Sequence, residues 1–230
     1  MKKIAILTGA GISAESGVKT FRDAGGLWEG HNVVEVASPE GWAKDKNLVL
    51  EFYNQRRRQL LEVEPNDGHK ALVELEQKYI TAIITQNVDD LHERAGSSNI
   101  IHLHGELLKV RSTGDETLVY NWTKDLNLGD TCPEGFQLRP HIVWFGEAVP
   151  MLQNAIKEII TSDVMIIIGT SMQVYPAAGL VSVLPKYSPI YYIDPNPNIS
   201  FELSIASNLT VIKESATTGV RKVVDQLLKL

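Results

Sequence analysis

"KIAILTGAGISAESG", residues 3–17, decides the fold. "KIAIL" (3–7) reads as a short, fully buried strand, and "GAGISAESG" turns it into a helix. Gly9, Gly11 and Ala14 give the spacing G-x-G-x-x-A between the two. Glycine there lets the turn close and brings backbone N–H groups against a pyrophosphate, whose charge sits at the helix N-terminus. The same spacing also suits a tight strand-to-helix turn with no ligand.

A dehydrogenase would next show a second strand ending in an acidic residue about twenty positions on. Here that stretch is "GVKTFRDAGGLWEGH" (17–31), with four glycines and neither helical nor strand period, so it is a long loop. Glu29 has the right offset but lies in no strand. The acid at a strand end comes much later, as Asp194 after "PIYYI", where it could hold a ribose. The turn therefore binds a dinucleotide by a variant of the rule, and hydride transfer loses ground.

Beyond the loop, helical patterns cover about 45–64 and 67–79, the second opened by the Asn66-Asp67-Gly68 turn and cap. "YITAIIT" (79–85) and "NIIHLHG" (99–105) are strands. Residues 106–140 lose the α/β rhythm and carry hairpin signals. "HIVWFG" (141–146) is a strand or an extended groove segment. Helix 150–161, strand "DVMIIIG", helix 176–184, strands "PIYYID" and "LTVIKE", and helix 216–229 follow. Strands alternating with helices predict an α/β fold: a Rossmann-like parallel sheet with helices on both faces, plus a smaller second lobe.

At 230 residues, 43% hydrophobic, the chain can bury a substantial core, which excludes disorder. Its net charge of -6 argues against nucleic acid or an anionic membrane as partner. A single cysteine, Cys132, excludes a disulfide framework and suits a reducing compartment. The apolar start is too short for a signal peptide, and no run approaches a membrane span, so a cytoplasmic location is expected.

Polar clusters fall at strand ends, where open α/β sheets bind ligands. Gln86, Asn87 and Asp89 follow one strand, "HLHG" ends the next, and Gly169-Thr170-Ser171 follows "VMIII". Turn and cap chemistry would also account for the Asn and Asp residues. His102 and His104 lie two apart on one strand face, but no nearby carboxylate or cysteine completes a metal set. A histidine at a strand end suits a general base, and a structural histidine remains the alternative for His104.

Taken together, "GAGIS" (9–13), "GVKTFRD" (17–23), "TQNVD" (85–89), "HLHG" (102–105), "VWFGE" (143–147), "GTS" (169–171) and Ala216 resemble the sirtuin family of NAD-dependent protein lysine deacylases, in order and spacing, over nearly the whole chain. The resemblance implies one catalytic domain over 1–230. An NAD-binding lobe would take about 1–31, 67–105 and 141–230, and a small lobe about 32–66 and 106–140. NAD, consumed as co-substrate, would meet Gly9, Ala10, Gly11, Ser13, Phe21, Arg22, Trp28, Gln86, Asn87, Asp89, Gly169, Thr170, Ser171, Asp194 and Ala216. Val143, Phe145, Gly146 and Glu147 would pair with the substrate peptide as an added strand. His104 would take a proton from a ribose hydroxyl after the acyl oxygen has displaced nicotinamide. Free lysine, nicotinamide and O-acyl-ADP-ribose would leave. Mono-ADP-ribosyl transfer would use the same pocket with another acceptor, and a non-catalytic NAD-binding module would not need His104.

Two further readings concern helix 48–63 and the small lobe. On the helical wheel Tyr53 and Arg56 project near the centre of the apolar face, Arg57 lies on its flank and Arg58 points away, so Arg57 and Arg58 are expected in solvent. An inward Arg56 needs a partner, and the wheel alone favours a structural carboxylate. The family resemblance favours a ligand instead, because sirtuins that remove succinyl and malonyl groups carry Tyr-x-x-Arg here. Most sirtuins also hold zinc with four small-lobe cysteines. Here only Cys132 is present, Ser112 stands where the first would be, and no zinc is expected. Packing must then hold the lobe, with Leu118, Tyr120, Trp122, Leu126, Phe136 and Leu138 as candidates.

Overall fold

The computed structural model describes residues 1–19, 27, 28 and 30–230. In chain order the strands are β1 (Lys3–Thr8), β2 (Leu27–Trp28), β3 (His31–Asn32), β4 (Ile80–Thr85), β5 (Ile100–His102), β6 (Gly105–Ser112), β7 (Val119–Asn121), β8 (Leu138–Ile142), β9 (Val164–Ile168), β10 (Ile190–Ile193) and β11 (Leu209–Ile212). The α-helices are α1 (Val33–Val36), α2 (Pro39–Lys44), α3 (Lys46–Glu62), α4 (Asp67–Glu74), α5 (Leu91–Ala95), α6 (Leu152–Ile159), α7 (Phe201–Ser204) and α8 (Ala216–Lys229).

Six strands form one parallel sheet in the order β11-β10-β9-β1-β4-β5. Successive side chains of β1 point to opposite faces. Ile4 and Ile6 join Leu72 and Leu75 of the α4 segment and Val220 and Val224 of α8 in one fully buried layer. Ala5 and Leu7 join Ala155 and Ile159 of α6 and the 3-10 turns of 177–183 in the other. Both faces are covered, which is why the strands read as unbroken apolar runs. From β1 the chain winds one way through β4 and β5, and later the other way through β9, β10 and β11. The switch point lies between β1 and β9, the place where such sheets leave a crevice for ligands.

A second, antiparallel sheet has the order β7-β6-β8. Helix α3 packs on it through Phe52, Tyr53 and Leu60, which share a core with Leu107, Ile142 and Trp144. Leu50 of the same helix meets Val110, Leu126, Cys132 and Leu138 in a second cluster, with Tyr120 and Trp122 against them. Leu126 and Leu138 are core as expected. Phe136 is not: it is exposed, and its ring covers Gly114 so closely that a Cβ there would lie 2.4 Å away.

Two expected helices are absent. After Gly9 the chain makes two single 3-10 turns, Ala10–Ile12 and Ala14–Ser16, and 177–183 is also 3-10. The first stretch is tied to the loop after β9, Gly11 N donating to Gly169 O at 2.8 Å. The helix-dipole part of the phosphate argument accordingly falls away.

Candidate active site

The crevice at the switch point is a cavity of about 300 Å³. One wall is backbone. A Cβ on Gly11 would sit 2.5 Å from Gly169 Cα, and one on Gly9 would sit 2.8 Å from Gly169 O. Gly169 itself has φ of +60°, where side chains are disfavoured. These three glycines let two loops touch main chain to main chain, and all three line the cavity with Ala10, Thr170 and Ser171.

Gln86, Asn87 and Asp89 form the next wall. Gln86 Nε2 donates to Thr170 Oγ1 at 2.9 Å, tying the β4 and β9 ends together. Asn87 Nδ2 donates to Ser13 Oγ (3.0 Å), and Ser13 Oγ donates to Asp89 Oδ2 (2.9 Å). Ser13 is fully buried behind this wall, so it positions the wall and does not line the cavity. Burial pushes the Asp89 carboxyl up to about 6, against the pull of Ser13 and the Leu91 N–H. Two buried histidines that the sequence did not single out meet edge to face, His69 and His92, with centroids 4.9 Å apart. Burial holds both neutral at pH 7, His69 down at about 4.

His104 lines the cavity from beyond the end of β5. Its Nδ1 lies 3.0 Å from Gln86 O, and burial lowers its basicity despite that contact. A carbonyl can only accept, so Nδ1 carries the proton and Nε2 is the basic nitrogen. His102 contacts Asn87 O through Nδ1 (3.2 Å) and Glu93 Oε1 through Nε2 (2.6 Å). The expectation was that no nearby carboxylate completes a metal set with the histidines, and carboxylates do lie beside His102. Ligand-type atoms of Glu93, His102 and Glu106 fall within 4.8 Å of one another, brought together from α5, β5 and β6. They are already paired, Glu93 with His102 and Glu106 with Lys109.

The 143–147 segment closes the cavity. Val143 N donates to His104 O, Phe145 N to Ala37 O, and Trp144 N to Glu147 Oε2. The Glu147 carboxylate also holds Arg139 at 2.6 Å and Arg111 at 3.1 Å, and those arginines keep it ionised against the cost of its burial. Val143, Phe145, Gly146 and Glu147 all line the cavity, with the Glu147 carboxylate turned to the arginines. Trp144, not anticipated, is 2% exposed and donates its indole N–H to Tyr53 Oη at 3.1 Å. A buried indole needs such an acceptor, the one signal that could have found it.

Tyr53 lines the main cavity, and Arg56, one turn on, lines a smaller adjoining space of about 60 Å³ with Lys19. Val18, Lys19, Val88 and Asp89 border both. The Arg56 guanidinium lies 3.7 Å over the Phe52 ring. Arg57 is not in solvent. It is 1% exposed, with Nε on Leu107 O and Nη1 on Asn54 Oδ1, while Asn54 pairs with both backbone groups of Leu126. The wheel assumed one buried face, whereas α3 is clamped on two sides. Arg58, half exposed, pairs with Asp125 and Glu51.

Asp194 is buried at the end of β10, and Ala216 is buried at the start of α8; neither lines the cavity. Phe21 and Arg22 lie outside the described residues, and of Trp28 only the backbone pairing with His31 is described. Ser112 Oγ and Cys132 Sγ do come together, at 3.4 Å. A hydroxyl and one thiol do not make a structural zinc site.

Fold and site together define an α/β protein with a cavity at the switch point of its parallel sheet. Residues 9–176 match the Sir2 family, and the chain belongs to that family. It is 60% identical to an NAD-dependent protein deacylase of Helicobacter pylori over 100% of this chain and 99% of that one. It is 50% identical to a protein of the same description from Bacteroides thetaiotaomicron, with 99% of each covered. Among solved structures, a Sir2 homologue in complex with NAD superposes with a TM-score of 0.88 at 38% identity, over 99% of this chain and 90% of that one. A Sir2 complex with a p53 peptide and NAD superposes at 0.80 and 30% identity, over 99% and 94%.

Proposed function

We propose that the protein removes acyl groups from protein lysine side chains at the expense of NAD, giving nicotinamide and O-acyl-ADP-ribose, and that acidic acyl groups are accepted beside acetyl. The observation that carries this reading is His104: its Nδ1 proton is committed to Gln86 O, so its basic Nε2 belongs to a cavity walled by the glycine loops and by Asn87 and Asp89. A base with lowered proton affinity, neutral at pH 7, is what deprotonation of a ribose hydroxyl requires. The glycine loops would take the phosphates of NAD, with Thr170 and Ser171, and Gln86, Asn87 and Asp89 the ribose and nicotinamide.

The substrate peptide would lie along 143–147. Since the N–H groups of Val143, Trp144 and Phe145 are engaged, it would be held through carbonyl oxygens and the Gly146 N–H. Tyr53 supports the acidic-acyl reading: its oxygen accepts from Trp144, and its O–H is the group that would donate to a carboxylate. Arg56 and Lys19 give the adjoining space two cations for a distal carboxylate. We read α1–α3 and the antiparallel sheet as a small lobe that works without zinc.

Incubation with NAD and acetyl-, succinyl- or long-chain acyl-lysine peptides, with products identified by mass, tests the reading. O-acyl-ADP-ribose is expected. NAD turnover indifferent to every acylated peptide would overturn it.

A further inference from the structure

Beside the catalytic histidine stands a second one whose contacts the chemistry above does not use. His102 is wedged between two acceptors, Asn87 O on Nδ1 and Glu93 Oε1 on Nε2. A neutral imidazole has one proton, so it could satisfy only one of them and would turn a lone pair on the other at hydrogen-bond distance. The imidazolium donates to both. We propose that Glu93 and His102 are a positioning pair: a charged imidazole, held by the carboxylate, that anchors the Asn87 carbonyl and so fixes the Asn87 side chain in the ribose-binding wall. The proposal rests on the function proposed above.

The surroundings favour the charge. Glu93 reaches the ring from α5 and Glu106 lies beside it on β6, with Lys109 paired to Glu106 and Asp89 at longer range. His92, also on α5, is buried and neutral. Burial of His102 opposes ionisation, but Glu93 and Glu106 outweigh it and raise its proton affinity. Asn87 is anchored at three points, its N–H on Thr85 Oγ1 (3.0 Å), its amide on Ser13 and its carbonyl on His102. Loss of the third would let the side chain tilt, and a displacement of about 1 Å in such a wall can cost on the order of 100-fold in rate.

Neutral His104 and charged His102 then predict a bell-shaped profile, its acid limb set by the first and its alkaline limb by the second. Glu93→Gln separates charge from geometry. The glutamine amide can donate to Nε2 of a neutral His102 whose Nδ1–H stays on Asn87 O, so the anchor survives at every pH.

The test is kcat/KM for NAD from about pH 5 to about pH 10, together with NAD affinity by calorimetry, for wild type, His102→Ala and Glu93→Gln. His102→Ala is expected to lower kcat/KM for NAD roughly 10-fold or more, with KM for the acylated peptide unchanged. Glu93→Gln is expected to fall less at neutral pH and to lose the alkaline limb. Wild-type kcat/KM in His102→Ala, or an unchanged alkaline limb in Glu93→Gln, overturns the proposal, and Glu93→Gln decides alone if the alanine variant does not fold. A wild-type protein that binds NAD but consumes none with any acylated peptide overturns the functional reading instead. The anchor is then judged by whether His102→Ala weakens NAD binding.

Discussion

His102 and His104 lie two residues apart and set their Nδ1 atoms on consecutive carbonyls, Asn87 O at 3.2 Å and Gln86 O at 3.0 Å. What differs is the other nitrogen. Nε2 of His102 meets a carboxylate, whereas His104 lines the cavity. His104→Ala should therefore cut deacylation, read as formation of O-acyl-ADP-ribose and free lysine, by about 100- to 10,000-fold, as expected for a lost general base. Calorimetric NAD affinity should be nearly unchanged. Because burial lowers its pKa, the wild-type rate should hold down to pH values somewhat below the ordinary histidine value of about 6.5 before it declines. Similar rates in the alanine variant would make His104 structural.

Asp89 carries a cost to stability. Its folded pKa of about 6 lies above the unfolded value near 3.8, so the folded state binds the proton more tightly. Stability is then lost as pH rises through that interval, and above it the protein holds a buried carboxylate that the unfolded chain would hydrate. Asp89→Asn should raise the melting temperature at pH 7, by an amount equivalent to at most about 3 kcal/mol, while reducing turnover. Below about pH 4 the two proteins should melt alike. Equal melting at pH 7 would contradict the direction of the shift.

The parallel sheet was legible because β1 and β9 are buried on both faces and read as continuous apolar runs. Gly9 and Gly11 were legible as a tight turn because their close approach to Gly169 admits only glycine. The helix expected after Gly9 was not borne out: the chain makes two short 3-10 turns there. Arg57 was misjudged because its partners, Leu107 O on β6 and an Asn54 itself tied to Leu126, are contacts between elements that helical periodicity does not encode. Glu93 and Glu106 beside His102 were invisible for want of any sequence period linking α5, β5 and β6.

Arg57 and Arg58 make a sharp pair for measurement. Burial lowers the Arg57 guanidinium to about 10, still charged at neutral pH, and its bonds join α3 to β6. Arg57→Ala should destabilise by about 2–4 kcal/mol by orphaning Leu107 O and Asn54. Arg58→Ala should leave thermal melting unchanged within error, because its ion pairs are solvent-screened. Equal losses would show that the clamp on α3 is not where the structure puts it.

Metal analysis checks the small sheet. One thiol beside Ser112 gives no tetrahedral site, so purified untagged protein should hold far less than one zinc per chain. Chelator should leave its melting temperature unchanged. Stoichiometric zinc lost in Cys132→Ala would contradict this.

On the proposed function, acyl preference would turn on one helical turn of α3. Tyr53 opens on the main cavity and Arg56 on the adjoining space, so a carboxylate that both could reach must sit where the two meet, at the end of an acyl chain longer than acetyl. An arginine offers such a carboxylate two parallel donors, which lysine cannot reproduce. Arg56→Ala should raise KM for succinyl peptides roughly 10-fold or more and leave acetyl peptides within about 2-fold. Arg56→Lys should recover part of the succinyl loss, since charge survives without the fork. Tyr53→Phe should also penalise succinyl more than acetyl, but with a melting temperature lowered for both, because the Trp144 indole N–H loses its acceptor. Equal losses for the two acyl types in Arg56→Ala would return that residue to a structural role on Phe52.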